Sequence, residues 1–142
     1  MITLALYKQM IADDVADLEE NTNFFWEELP LQNNGKPAQG AWLVTRGGDA
    51  AAKPKGHNLN TTVDIYVTFG NKVKTEKVLA TINKWILDNP YFCELDGEAS
   101  DGTEYSFSNV RLFPTTTPQN AGVTENGSIV KVASILIYYN LN

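Results

Sequence analysis

The sequence predicts an α+β domain, a mixed and mainly antiparallel sheet with two helices packed on one face. Three features predict it. Two segments repeat apolar residues at spacings of three and four, as amphipathic helices do. Other segments alternate apolar and polar residues with the period of two that a half-buried strand requires. Further strand-like runs then close the chain without another helix. A length of 142 residues suits one domain, spanning 1–142. With 43% apolar and 20% charged residues, the composition is that of a chain with a real core, neither disordered nor membrane-spanning.

The elements follow in order. Residues 3–20 read as a helix whose inner stripe is Leu4, Tyr7, Ile11, Val15 and Leu18, with Thr3 as its N-cap. Asp13, Asp14, Asp17, Glu19 and Glu20 crowd its C-terminal half, where the helix dipole disfavours negative charge. Phe24-Phe25-Trp26 through Leu29 suggests a short strand stopped by Pro30. Asn33-Asn34-Gly35-Lys36-Pro37 is turn chemistry, because Asn and Gly accept positive φ. Residues 41–45 predict a second strand, and residues 47–58 a mobile loop rich in Gly, Ala and Lys. Residues 62–69 alternate most cleanly, with Val63, Ile65, Val67 and Phe69 on one face.

A second helix is expected over residues 72–88, with Val78, Leu79, Ile82, Trp85 and Ile86 inward, ended by Asn89-Pro90. Strands are expected at 91–95 and 105–113, then a Thr-, Asn- and Gly-rich hairpin arm at 114–127. Residues 129–141 are apolar at both parities, so this strand needs cover on two faces. Two helices on one side leave the other needing a curled sheet or another subunit.

Charge is uneven. Residues 1–30 hold one Lys and seven acids, residues 31–58 hold Lys36, Arg46, Lys53 and Lys55 against Asp49, and the whole chain carries −6. Opposite patches suit a head-to-tail contact, which closes into a ring where the rotation allows. The candidate interface residues are therefore Asp13, Asp14, Asp17 and Glu20 on the acidic side and Lys36, Arg46, Lys53 and Lys55 on the basic side. Such an acidic chain has no bulk attraction for nucleic acid.

Chemical motifs are absent. His57 stands alone in a polar loop, with no second histidine for a metal site. Cys93 is the one cysteine, which excludes an internal disulfide, and its flanks suggest a buried, inert thiol. Glu94, Asp96, Glu98, Asp101 and Glu104 read as a solvated turn, without the ligand spacing of a calcium loop. Neither a phosphate-cradling glycine loop nor a nucleophile elbow occurs. No catalytic, cofactor or metal residue is assigned. The N-terminal run lacks a signal peptide's pattern, so synthesis and use in a cytosol are expected.

The order of elements, together with the opening helix from Thr3 to Glu20, the run from Gly40 to Gly48, the run from Leu59 to Phe69, the helix ending Asn83-Lys84-Trp85-Ile86 and the closing apolar strand, resembles the tail terminator (minor capsid, tail completion) proteins of long-tailed bacteriophages. The resemblance spans the whole chain without a diagnostic motif. It implies a non-enzymatic homo-oligomeric ring, usually hexameric, at the head-proximal end of the tail in a virion assembled in the host cytoplasm. That ring would cap the tail tube, stop its polymerisation and meet a head-side neck or connector protein. DNA would pass through its lumen without specific binding, which an acidic wall favours. A neck or head-completion connector, or a small-molecule-binding domain, fits the same residues.

Overall fold

The computed structural model describes residues 2–32, 34–48, 58–98, 101–124 and 127–142. In these residues a seven-stranded sheet carries two helices. Helix α1 is Ile2–Ala12, and strands β1 (Phe24–Trp26), β2 (Gly40–Gly48) and β3 (Asn58–Thr68) follow. Helix α2 (Lys72–Asp88) leads to β4 (Tyr91–Glu98), β5 (Glu104–Pro114), β6 (Gln119–Val123) and β7 (Ile129–Leu141). The strand order is β1-β2-β3-β7-β5-β4, with β6 also paired to β7. Only β1 and β2 run parallel, so the sheet is mixed and mainly antiparallel.

The first helix is shorter than its sequence pattern. It ends at Ala12, and a 3₁₀ turn at Val15–Asp17 follows. Asp14, Ala16 and Asp17 take φ of 50°, 53° and 56°, which no α-helix tolerates. Aspartate accepts this left-handed region better than most residues, so consecutive acids break the helix where apolar spacing alone would continue it. Val15 and Leu18 are buried as expected, but within α1 the expected stripe is misplaced: Ile2, Thr3, Ala5, Leu6, Tyr7 and Met10 are buried, whereas Leu4 and Ile11 are only partly so. Thr3 is not a cap. It lies inside α1, fully buried, with its Oγ1 2.6 Å from Thr45 Oγ1.

Helix α2 has its expected bounds. Asn71 caps it, accepting from Lys74 N at 2.7 Å, and Val78, Leu79, Ile82 and Ile86 are buried. Trp85 sits at the rim of that stripe, donating Nε1–H to Asp13 and packing on Phe92. Strand β1 stops at Trp26, three residues before the expected end, because Glu27 turns to φ 71°. The arm expected at 114–127 contains β6, whose five residues are all exposed.

One core cluster joins both helices to one sheet face: Leu6 and Met10 from α1, Leu79 and Ile82 from α2, and Leu43, Val63, Ile65, Ile135 and Ile137 from the strands. Helix α1 lies against β4 and β2, and α2 against β7, β3 and β5. Burying apolar area at roughly 25 cal/mol per Å² is the main force holding this layer together.

Strand β5 shows how a broken alternation still fits the sheet. Phe107 and Val110 are both buried although three residues apart. The pairing with β7 shifts by one residue between Ser108 and Arg111, and Asn109 stands there with φ 51°. The extra residue of the bulge returns the side chains to the core face.

Candidate assembly interface

Register defines the opposite face of the sheet. Trp42 lies beside Tyr66, and Tyr66 beside Val132. Val44, Asp64 and Ser134 form the next row, then Thr62, Leu136 and Phe113, then Asn60, Tyr138, Arg111 and Tyr91. Paired residues share a face, and none of these belongs to the core cluster. Val130, Val132, Leu136 and Tyr138 on β7 are only partly buried, and no described helix packs over them. Phe113 remains 46% exposed and Tyr91 50%.

The open face has internal order. Trp42 and Tyr66 stack with ring centroids 5.1 Å apart and planes inclined by 13°. Phe113 meets Tyr138 edge-on at 5.7 Å, and the guanidinium of Arg111 stands 5.6 Å from the Tyr138 centroid. Between these two patches lies a polar bridge. Asp64, only 6% exposed, accepts from Arg46 Nε and from Ser134 Oγ, the latter at 2.5 Å. Arg46 is the extra residue of a second bulge, between Thr45 and Gly47, which lets its side chain reach this face.

Of the charged residues singled out by sequence, the structure brings few together. Asp13 is exposed yet engaged, taking hydrogen bonds from Trp85 Nε1 and Gln9 Nε2. Asp14 is exposed at the helix break. Asp17 lines a cavity of about 570 Å³ with Lys74 and Lys77, so its own chain already supplies opposite charge nearby. Lys36 is exposed in its turn. Arg46 pairs with Asp64 at 2.9 Å rather than standing free. Lys53, Lys55 and His57 lie outside the described residues, as does most of the loop expected at 47–58.

Glu20 borders a groove of about 480 Å³ beside β1, with Tyr7, Phe25, Trp26, Glu28 and Pro30 among its walls. The Trp26 Nε1–H is buried there without an acceptor among the described residues, a state that costs about 1–3 kcal/mol. Burial, and secondarily the charge of Glu20, push the Tyr7 phenol above its ordinary range, while the Asn21 backbone N–H acts the other way. The hydroxyl donates to Phe24 O at 2.6 Å.

Two expectations about reactive residues change. Cys93 is exposed, not buried, because it lies opposite Asn109 where the β4–β5 pairing is interrupted. Glu94, Asp96 and Glu98 sit on strand β4 rather than in a turn, with Gly97 between them paired to Tyr105. Glu98 pairs with Lys8 at 3.6 Å across a cavity of about 360 Å³. No group of three metal-ligating side chains occurs among the described residues.

Sequence reasoning missed the Arg111, Tyr91 and Phe113 patch. Arg111 reads as one of several dispersed cations until β5 is placed beside β7. The available signal was the double-sided apolar pattern of residues 129–141, which already required cover on this face. Compared with protein-family models and with curated proteins, the chain matches none.

Proposed function

We propose that this chain is a structural ring protein of a long phage tail, a tail terminator that caps the tube at its head-proximal end. One observation carries the reading. Strand β7 presents Val130, Val132, Leu136 and Tyr138 on a face that neither helix covers. A neighbouring subunit would bury these side chains at the gain that drives most association. The exposed aromatic and arginine side chains beside them are of the types that dominate protein interfaces. Function then resides in shape and contact. The net charge of −6 disfavours adhesion of the DNA that such a lumen would pass.

Electron microscopy of the purified protein, alone and added to tail tubes, tests the reading. Annular particles with a central hole, or rings seated on tube ends that stop growth, are the expected result. Monomers that neither form rings nor bind tubes would overturn it. Co-purification with a neck component and not with the tube would move the protein to the connector beside it.

A further inference from the structure

We propose that the groove beside β1 in one copy receives Arg111, with its flanking aromatic side chains, from the open sheet face of a second copy. This rests on the ring reading and names its contact. Charge complementarity identifies the occupant. The groove has two exposed carboxylates, Glu20 and Glu28, at walls made by Tyr7, Phe25 and Trp26. Neither carboxylate has a cation within ion-pair distance among the described residues. Arg111 is exposed, lacks a carboxylate partner among the described residues, and is held upright over Tyr138. A guanidinium suits such a site, because it pairs with carboxylates through a planar fork and stacks on aromatic faces.

The two halves belong to different strands of the sheet. The groove lies at the β1 edge, and Arg111 lies on β5, four strand positions away. Groove and patch are different surfaces, so the contact is head-to-tail and repeats around a ring. Lys8, Arg46, Lys72, Lys84 and Lys131 already have carboxylate partners in their own chain, and the exposed Lys36, Lys74 and Lys77 offer a point-charge ammonium in place of a planar fork that also stacks on aromatic rings.

Sedimentation equilibrium on the full chain tests this. Arg111→Glu, and separately Glu20→Arg with Glu28→Arg, should each weaken self-association about 30-fold, the effect of losing a strong interface residue. Circular dichroism and thermal melting check that each variant folds. Mixed in equal amounts, the two variants should associate again, because every patch then meets a groove of opposite charge. Arg111→Gln serves as a milder variant with the same expected direction. If both charge-reversed variants associate as the wild type does, the docking is wrong while the ring reading stands. A wild-type chain that stays monomeric at about 1 mM would overturn the docking, and failure to form rings on tubes as well would overturn the ring.

Discussion

Adjacent residues of β7 should respond very differently to the same truncation. Ile135 is 1% exposed and lies on the core face beside Val63. Leu136 points to the other face, beside Thr62 and Phe113, and is only partly buried. Ile135→Ala removes three carbons from a packed site, which costs about 3.5 kcal/mol when the cavity cannot collapse. Leu136→Ala removes as many carbons from a face that water already reaches, and should cost about 1 kcal/mol. With a urea m-value of about 2 kcal/mol/M for a domain of this size, the midpoints should fall by about 1.7 M and about 0.5 M. Urea unfolding of dilute samples measures both. The order should reverse for self-association, where Leu136→Ala weakens it and Ile135→Ala does not beyond its effect on folding. Equal losses of stability in dilute solution would show that the protein's own chain covers Leu136, and the reasoning from an uncovered face would fail.

Three other outcomes follow from local geometry. Gly40→Ala places a methyl group against the backbone carbonyl of Asn23 where β1 and β2 join; overpacking of this kind costs about 2 kcal/mol, readable as a drop of several degrees in melting temperature. The Tyr7 phenol has a raised pKa in the folded state, so the stabilising proton is retained after the unfolded chain loses its own. Its contribution is intact below about pH 10 and lost as pH rises through the folded-state value. Urea midpoints between about pH 9 and 11 should therefore fall more steeply for the wild type than for Tyr7→Phe, and parallel slopes would refute the assignment. Cys93 is exposed, so a thiol reagent should titrate it completely in the native protein without denaturant; protection would mean that its strand edge is covered.

Periodicity located most of the fold because α2 and the long strands each bury one face, whereas α1 buries residues around more than half of its circumference and its inner stripe was misplaced. Val63, Ile65 and Val67 could be assigned to the core from alternation alone, and all three are fully buried. The errors cluster where the backbone leaves regular geometry. Asp14, Ala16 and Asp17 end the first helix through positive φ, which apolar spacing does not encode. Asn109 and Arg46 mark bulges that invert alternation, so the facing of Phe107, Val110 and Arg46 depends on pairing partners far away in sequence. The candidate interface was legible only as a deficit. Residues 129–141 announced a second apolar face, but charge counting chose cations by position along the chain. Arg111 gains its place only when β5 and β7 pair, and Arg46 loses its availability only when β3 brings Asp64 beside it.

The pair Arg46–Asp64 also bears on which surface can cover the open face. It divides the face into one apolar patch at Trp42, Tyr66 and Val132 and another at Leu136, Phe113 and Tyr138. Along β7, Val132 and Leu136 are about 13 Å apart. A flat apolar partner would slide along a uniform sheet at little cost. Here, shifting it would press carbon onto a carboxylate that Ser134 and Arg46 already satisfy, displacing the guanidinium and leaving a buried charge short of partners. Because the Arg46 side chain is 56% exposed, the penalty is smaller than for a fully buried pair broken on one side; about 1.4 kcal/mol would already disfavour misaligned contacts about tenfold. In the proposed assembly the polar bridge would therefore act against wrong registers more than for the right one. In the proposed ring that specificity would matter, because subunits must close at one angle and not merely adhere.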